Sequence, residues 1–331
     1  MKPEIKFIQV NKVPTKILVY DDGDEFGGEK FNKQRLIMLI SGNRLSLIPS
    51  HTIERMLTGN PGEIEYYTDY LSKLYSEMNI PTIGISHAGH NRIPAGHSRP
   101  QMSSQLFGLE AQIDHKARFI RDHIEPSTRI ILVGHSIGCY ILLELLDRYP
   151  DIAQMVDHSI LLYPTIDSIG DTKKARVTGF FIKFFLYPIL ALAYLFNLIL
   201  NAERKERLIR LFLGSDCSEC IVRGATNLLD PFCVRATILM ALEEFGQVLQ
   251  PKVHVIEANA TKLSMFYSES DPWAPIDCFH KLKRQIQHFH DKLDIRLCLG
   301  QMQHAFVMES DSIDKVSQLT CEVIRKKWKI N

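Results

Sequence analysis

The sequence RIILVGHSIGCYILLELL (residues 129–146) places a serine between two glycines, with an apolar β-branched run before it and an apolar helical run after it. This strand–turn–helix context is typical of a nucleophile elbow, where a sharp turn lifts the serine hydroxyl above the edge of a sheet. Side chains at Gly134 and Gly138 would collide where the strand and the helix cross closely. We therefore predict Ser136 as a nucleophile and the backbone N–H of Ile137 as a donor to a developing oxyanion.

Short apolar runs rich in β-branched residues alternate with longer helical patterns along most of the 331 residues. Helical spacing of apolar residues extends over 105–124, and a final helix is expected near 312–328. This alternation predicts an α/β protein with a mostly parallel sheet and helices on both of its faces. The predicted strands are 16–20, 35–40, 80–86, 129–134, 159–163, 263–268 and 294–298.

The alternation of strands and helices is interrupted between 166 and 258, where the pattern is helical throughout. Open α/β sheets bind ligands at the carboxyl ends of their strands, so a helical insert between two strands predicts a cap over that edge. We expect a core formed by 1–165 and 259–331, and a helical cap formed by 166–258.

A serine hydroxyl needs a base to remove its proton and an acid to orient that base. Behind a nucleophile elbow the acid precedes the histidine in the chain. The segment KLSMFYSESDPWAP leads from a predicted strand into a loop that carries Asp271, and DIRLCLGQMQHAFV contains His304 after the next strand. We predict Asp271 as the orienting acid and His304 as the general base, with Asp230 in NLLDPFC as the alternative acid.

The other histidines and the cysteines give no metal signature. His87 and His90 follow a predicted strand and, with His135, are expected to line the site in structural or substrate-contacting roles. Without clustered carboxylate or thiolate partners they predict no metal site, and no cofactor is expected. The seven cysteines are scattered, and the lone C-x-x-C at Cys217 and Cys220 lacks a second pair, so reduced thiols are expected.

Charge and the N-terminal residues limit the possible partners and compartments. With 39 basic and 38 acidic side chains the formal charge is +1, so no overall field attracts nucleic acid. The segment MKPEIKFIQVNKVPTK has no apolar core and no small-residue cleavage pattern, so no signal peptide is expected. These features favour a protein that faces the cytosol.

Several phrases taken together resemble the lipid droplet-associated hydrolase family: TGNPGEIEYYTDYL, ISHAGHN, GLEAQIDHKARFI, LVGHSIGCY, YPTI, DPFC, FYSESDPWAP and HAF. The resemblance covers residues 30–308. It implies an α/β-hydrolase fold and a serine lipid hydrolase at the surface of lipid droplets and at the endoplasmic reticulum, with sterol esters as a proposed substrate. By resemblance, the family's nucleophile, acid and base fall on Ser136, Asp271 and His304.

The sequence departs from the family pattern ahead of the G-N-P-G turn. In the family, the strand corresponding to RLIMLI runs directly into this turn, whereas here SGNRLSLIPSHTIERML (41–57) intervenes. Pro61 has no amide hydrogen, so the second oxyanion donor is expected to be the backbone N–H of Asn60. Loss of one such donor costs roughly a hundred- to a thousand-fold in rate in other hydrolases, so an insert that displaces Asn60 would leave the triad without its oxyanion hole.

The segment FFLYPILALAYLFNLIL (184–200) is apolar and uncharged. A single membrane span there is incompatible with the triad, because Ser136 would lie on one side and the acid and base on the other. Pro188 is expected to break or kink the helix. We predict insertion into one leaflet at a phospholipid monolayer or membrane surface, with a helix buried in the cap as the alternative. The flanking basic residues are Lys173, Lys174, Arg176, Lys183, Arg204, Lys205, Arg207 and Arg210.

The favoured function is hydrolysis of a neutral lipid ester, either a sterol ester or an acylglycerol, on lipid droplets or on the cytosolic face of the endoplasmic reticulum. One alternative is a weak or inactive droplet-surface protein that acts in lipid storage by binding or recruitment. Another is a soluble esterase or thioesterase with a buried cap. The variant Ser136→Ala separates the enzyme from the inactive surface protein, because only the enzyme needs the hydroxyl.

Overall fold

One eight-stranded sheet organises the protein. The computed structural model describes residues 2–21, 30–31, 33–42, 62–214, 217–298 and 302–330. The strands within these ranges are β1 (Glu4–Val10), β2 (Val13–Tyr20), β3 (Arg35–Ile40), β4 (Thr82–Ile85), β5 (Arg129–His135), β6 (Val156–Leu162), β7 (Leu263–Ser268) and β8 (Asp294–Cys298). Their spatial order is β1-β2-β4-β3-β5-β6-β7-β8.

The sheet is antiparallel at one edge and parallel elsewhere. β1 pairs antiparallel with β2, and β2 with β4, whereas the pairs from β4 through β8 are parallel. Together with helices on both faces, this sheet confirms the predicted α/β-hydrolase fold class. The predicted strands 35–40, 263–268 and 294–298 have the observed bounds. β1 is missing from the prediction, because its residues EIKFIQV are mostly half-buried or exposed at the edge and carry no clean apolar run.

Helices cover both faces of this sheet. The described helices are α1 (Thr68–Met78), α2 (Ser104–Phe107), α3 (Leu109–His123), α4 (Ile137–Arg148), α5 (Pro150–Met155), α6 (Lys173–Ile199), α7 (Ala202–Leu213), α8 (Glu219–Asn227), α9 (Pro231–Gln247), α10 (Val253–Ala258), α11 (Ile276–Gln285) and α12 (Ser310–Trp328). Successive strand residues point to opposite faces, so Met38 and Ile40 enter the core beneath α3 and α4, while Ile37 and Leu39 enter the core beneath α1 and α12.

The predicted helix 105–124 is two helices, because the helical conformation is interrupted at Gly108. This residue is extended, with φ −74° and ψ 174°. A Cβ at Gly108 would lie 2.3 Å from Oε2 of Glu243 on α9, and the same oxygen accepts the Leu109 N–H at 2.7 Å. A carboxylate from another helix therefore caps the start of α3, where unsatisfied N–H groups favour negative charge.

The segment 166–258 contains α6 to α10 between β6 and β7. Its assignment as a cap domain stays a prediction. α6 runs from Lys173 to Ile199 and contains Pro188, so the expected break there is wrong and a kink stays a prediction. By length and composition alone, α6 is long and apolar enough to cross a membrane.

α6 has one buried side and one exposed apolar side. Only 11% of its most apolar 18-residue stretch is buried, so the alternative of a helix enclosed within the cap is wrong. Phe184 is 60% exposed, Tyr187 81% and Leu198 72%. At 100° per residue these three positions lie opposite the buried side. The buried side, which packs toward α9, consists of Ala175, Thr178, Ile182 and Ala193.

Candidate active site

Ser136 lies at the sharp turn between β5 and α4. Its backbone has φ +56° and ψ −123°, a conformation that is rare for a non-glycine residue and costs of order 1–3 kcal/mol. A Cβ at Gly138 would lie 2.4 Å from the carbonyl oxygen of Ile40 on β3. This distance excludes every side chain, because backbone atoms of the neighbouring strand cannot move away. The turn therefore has the strained, closely crossed geometry that the G-x-S-x-G sequence predicts.

His304 and Asp271 lie within hydrogen-bond distance of each other, and His304 also reaches the serine. His304 Nε2 is 2.8 Å from the Ser136 hydroxyl oxygen, and His304 Nδ1 is 2.5 Å from Asp271 Oδ2. The ionised carboxylate is an acceptor, so Nδ1 carries the proton and Nε2 is the acceptor that faces the serine O–H. All three residues are buried. The structure thus places the predicted nucleophile, base and acid in the order that proton transfer requires, and their catalytic roles stay predictions.

The loop after β7 anchors Asp271 through its backbone. Asp271 Oδ1 accepts the N–H groups of Trp273 at 2.8 Å and of Ala274 at 3.1 Å. Trp273 is itself buried, and its ring stacks on that of Phe245 from α9 with 6.3 Å between centroids. One carboxylate oxygen is therefore held by the loop while the other contacts His304.

Asp230, the alternative acid, has a different environment. Its Oδ1 accepts the Phe232 N–H at 2.9 Å at the start of α9, and its Oδ2 accepts a hydrogen bond from Arg99 at 2.9 Å. An N-cap of this kind typically contributes about 1 kcal/mol to stability. Of the two candidate acids, it is Asp271 that contacts His304.

His135 contacts both the base loop and a tyrosine that the sequence did not single out. Its Nδ1 is 2.6 Å from the Tyr67 hydroxyl, and its Nε2 is 2.9 Å from the backbone carbonyl oxygen of His304. The Gly42 N–H donates to the same hydroxyl at 3.0 Å. Nothing in EIEYYTDYL distinguishes a site-facing tyrosine from a core tyrosine, so its position required the structure.

His87 and His90 lie beneath the backbone at Gly62. Both are buried, their rings are 5.3 Å apart, and a Cβ at Gly62 would lie 2.3 Å from His87 Cδ2. Burial, followed by the nearby Lys116, lowers the pKa of His87 well below its ordinary value. The structure therefore brings the predicted lining residues His87 and His90 to the turn at Gly62, and their role in lining the site stays a prediction.

The two predicted oxyanion donors differ in what the structure describes. Ile137 is the first residue of α4, where the N–H has no acceptor within the helix, as the predicted role requires. Asn60 and most of the 41–57 insert lie outside the described residues. The insert's second residue, Gly42, packs against the serine, since a Cβ there would lie 2.8 Å from that of Ser136. The chain therefore leaves β3 directly beside the nucleophile.

The cysteines are free thiols, including Cys217 and Cys220. Burial raises the pKa of Cys220 to about 11, and its Sγ is 3.4 Å from an oxygen of Asp69. Among the residues that the structure describes, no group of three His, Cys, Asp or Glu side chains is placed to hold a metal ion.

Comparison with known proteins identifies the family. The protein-family model described as "Lipid-droplet associated hydrolase" matches residues 51–307 of this chain. This chain belongs to the lipid droplet-associated hydrolase family. Relatives named lipid droplet-associated hydrolase include the human protein, 30% identical over 76% of this chain and 78% of its own, and the Gallus gallus protein, 30% identical over 77% and 79%. The Drosophila melanogaster relative is 28% identical over 91% of this chain and 92% of its own.

Solved structures with the same fold have low sequence identity and differ in chemistry. A serine hydrolase from Cycloclasticus zankles has a TM-score of 0.56 at 13% identity, covering 97% of this chain and 99% of its own. The haloalkane dehalogenase DatA from Agrobacterium tumefaciens has a TM-score of 0.59 at 12% identity, covering 98% and 97%. The fold alone therefore does not select a substrate. Family and fold together make this protein a hydrolase of the α/β-hydrolase type.

Proposed function

We propose that this protein is a serine hydrolase that cleaves hydrophobic lipid esters, either a sterol ester or an acylglycerol, at the lipid-droplet surface. The observation that carries the proposal is the pair of hydrogen bonds made by His304. Its Nε2 is 2.8 Å from the Ser136 hydroxyl oxygen, and its Nδ1 is 2.5 Å from Asp271 Oδ2. The family membership and the relatives' names support the lipid-droplet location.

In the acylation step, the Ser136 oxygen attacks the acyl carbon of the ester and His304 Nε2 takes the hydroxyl proton. The Asp271 carboxylate stabilises the resulting imidazolium and keeps Nδ1 protonated. Collapse of the tetrahedral intermediate breaks the bond between the acyl carbon and the alcohol oxygen. That oxygen leaves with the proton from His304, which produces the free alcohol and an acyl-serine.

In the deacylation step, His304 takes a proton from water and the resulting oxygen nucleophile attacks the acyl-serine. The bond to the Ser136 oxygen breaks, the proton returns to that oxygen, and a fatty acid is released. The Ile137 N–H donates to the oxyanion in both steps, and we assign the second donor to the backbone N–H of Asn60.

We assign the exposed face of α6 as the lipid-contacting surface. Phe184, Tyr187 and Leu198 present large apolar side chains to solvent on the side opposite the protein contacts. Burial of such side chains in the acyl region of a monolayer is favourable by roughly 1.5–3 kcal/mol each when complete. A helix that lies on one leaflet keeps Ser136, Asp271 and His304 on the same side of the lipid.

The flanking basic residues contribute unequally to this surface. Lys205 is buried and donates to Asn197, so it does not reach lipid headgroups. Arg207 and Arg210 lie on the surface in ion pairs with Glu203 and Glu219. The exposed Lys173, Lys183 and Arg204 are the better candidates for contact with headgroup phosphates.

The same surface suits the cytosolic face of the endoplasmic reticulum, because this membrane and lipid droplets present similar phospholipid headgroups.

A second candidate function is a weak or inactive droplet-surface protein that acts by binding or recruitment. The observation that favours it is the 41–57 insert, which precedes the predicted oxyanion residue Asn60. The two candidates differ in whether Ser136 reacts.

Labelling by a fluorophosphonate probe tests the proposal directly. We expect the purified wild-type protein to form a covalent adduct, and Ser136→Ala, which removes the nucleophile, to form none. The melting temperature of both proteins controls for folding. A folded wild-type protein that takes up no label would contradict the hydrolase proposal and favour the inactive surface protein.

A further inference from the structure

We propose that Tyr67 and His135 form a relay that positions the catalytic base, and that they act through hydrogen bonds rather than through packing alone. The relay runs from the Gly42 N–H to the Tyr67 hydroxyl, from there to the imidazole of His135, and on to the backbone carbonyl of His304. The inference rests on the proposed function, because it concerns the placement of the base that serves Ser136.

For a neutral His135 ring, the chemistry of the groups fixes the direction of the hydrogen bonds. A backbone carbonyl can only accept, so His135 Nε2 carries the proton that is donated to the His304 oxygen. In the neutral ring, Nδ1 is then the acceptor, and the Tyr67 O–H donates to it across 2.6 Å. The Tyr67 oxygen in turn accepts the Gly42 N–H at 3.0 Å. Every donor in the relay therefore faces an acceptor.

The relay joins the parts of the chain whose relative positions set the distance between the nucleophile and the base. Gly42 follows β3 and packs on Ser136, and Tyr67 ends the 3₁₀ turn Ile64–Tyr67. His135 is the residue before the nucleophile, and the carbonyl that it binds belongs to the base. A change in the relay is thus expected to alter the distance between Ser136 and His304 Nε2.

The relay is buried, and His135 is surrounded by aromatic rings that include the ring of His304, 5.0 Å away. The ring of His135 is 5.2 Å from that of Phe306 and 6.0 Å from that of Tyr163, and both of these residues are buried. A buried imidazole has lost its hydrogen bonds to water, so protein groups are expected to bond to both of its nitrogens. Tyr67 and the His304 carbonyl are those groups.

Tyr70 provides a matched control for Tyr67. It is equally buried, its hydroxyl is 2.8 Å from Thr320 Oγ1, and its ring packs edge-on against Phe306 at 5.2 Å. Its hydrogen bond leads to α12 rather than to His135. Tyr67→Phe and Tyr70→Phe therefore each remove one buried phenol oxygen, and only the first interrupts the relay.

The test compares the second-order rate constants of fluorophosphonate labelling for the wild type, Tyr67→Phe and Tyr70→Phe, with the melting temperature of each protein. We expect Tyr67→Phe to slow labelling by roughly ten- to a hundredfold, because small displacements of a reacting group have effects of that size. Tyr70→Phe is expected to label within about twofold of the wild type at a similar loss of melting temperature. Equal labelling by the two variants would overturn the relay.

Variants of His135 test the second half of the relay. His135→Gln keeps an N–H donor that can face the His304 carbonyl, whereas His135→Leu removes both polar contacts. We expect labelling to decrease from wild type to Gln to Leu, with partial rescue by Gln. A Leu variant that folds and labels as fast as the Gln variant would show that packing alone holds the base.

A measurement that does not depend on activity separates this proposal from the proposed function. In histidine-selective ¹⁵N NMR spectra, the relay requires a His135 ring that is protonated at Nε2 and not at Nδ1. Its Nδ1 resonance should shift in Tyr67→Phe and stay in place in Tyr70→Phe. A folded wild-type protein that does not react with the fluorophosphonate probe would contradict the hydrolase proposal alone. A His135 ring protonated at Nδ1 would contradict the relay alone.

Discussion

The two carboxylate oxygens of Asp271 have separate partners. Oδ1 is held by the Trp273 and Ala274 N–H groups, and Oδ2 contacts His304 Nδ1. This division leaves the carboxylate no freedom to rotate away from the imidazole. Asp230, by contrast, uses its oxygens to cap α9 and to bind Arg99. Substitution by asparagine is therefore expected to change the labelling rate differently at the two positions.

Asp271→Asn is expected to reduce fluorophosphonate labelling by up to about 10⁴-fold, because an amide N–H facing Nδ1 selects the wrong imidazole tautomer. Asp230→Asn keeps an N-cap acceptor and is expected to label at the wild-type rate. Rate constants and melting temperatures of both variants provide the measurement. A larger loss of labelling in Asp230→Asn than in Asp271→Asn would exchange their assignments.

At this scale the sequence predicted which three residues meet, Ser136, His304 and Asp271, because the elbow sets strict local requirements and the fold fixes the order of the partners. It did not predict Tyr67. A tyrosine hydroxyl that reaches His135 across more than sixty positions of sequence leaves no local pattern, since its neighbours Tyr66 and Tyr70 are also buried. Such contacts depend on tertiary packing.

Among the elements, α6 differs most from a helix of a soluble core. Its buried side is made of small and β-branched residues such as Ala175, Thr178 and Ala193, which allow close packing toward α9. Its opposite side carries aromatic and leucine side chains in solvent. A helix with these two sides suits a protein contact on one side and lipid on the other.

We expect a triple variant, Phe184→Ser with Tyr187→Ser and Leu198→Ser, to lose most of its flotation with phospholipid-coated neutral-lipid droplets. Its melting temperature and fluorophosphonate labelling should stay near wild type, because the three side chains are exposed. The control is Ile5→Ser with Leu249→Ser, which removes exposed apolar side chains elsewhere. Equal flotation of the two variants would contradict the assignment of α6 as the lipid-contacting surface.

Complete burial alone did not make element boundaries predictable. β2 is buried throughout yet begins at Val13 rather than at 16, whereas the half-buried β8 has its predicted bounds. β3 and β7 are buried apolar runs and have their predicted bounds. The break between α2 and α3 depends on Glu243, a residue more than a hundred positions away that occupies the space beside Gly108. The turn between β1 and β2 uses Asn11 and Lys12, both with positive φ, and lysine is not a typical signal for that conformation.

For the whole molecule, burial of histidines makes stability depend on pH. Burial is the main cause that lowers the pKa of His87, His115 and His158, followed by Lys116 for the first two and by Lys327 for the third. The pKa of His158 is lowered to about 4. An unfolded histidine binds a proton below about pH 6.5, where these folded ones do not. The unfolded state therefore binds more protons, and stability falls as the pH falls.

We expect the free energy of unfolding in urea to decrease between pH 6.5 and 4.5 by up to about 1.4 kcal/mol per pH unit for each of these histidines. His158→Asn removes one such group and should make the pH dependence shallower over this range, whatever its effect on stability at pH 7. Measurements at pH 7, 6, 5 and 4.5 for both proteins provide the slopes. Identical slopes would contradict a neutral, buried His158.

Reconstituted droplets provide the decisive experiment on whether this protein uses Ser136 to hydrolyse a hydrophobic ester at a lipid surface. Droplets with a core of sterol ester or of triacylglycerol and a phospholipid monolayer are incubated with the wild type and with Ser136→Ala, and released fatty acid is measured against bound protein. We expect the wild type to release fatty acid from at least one core and Ser136→Ala to release none, with equal binding of both proteins. Equal binding without release from either core by the wild type would contradict this expectation.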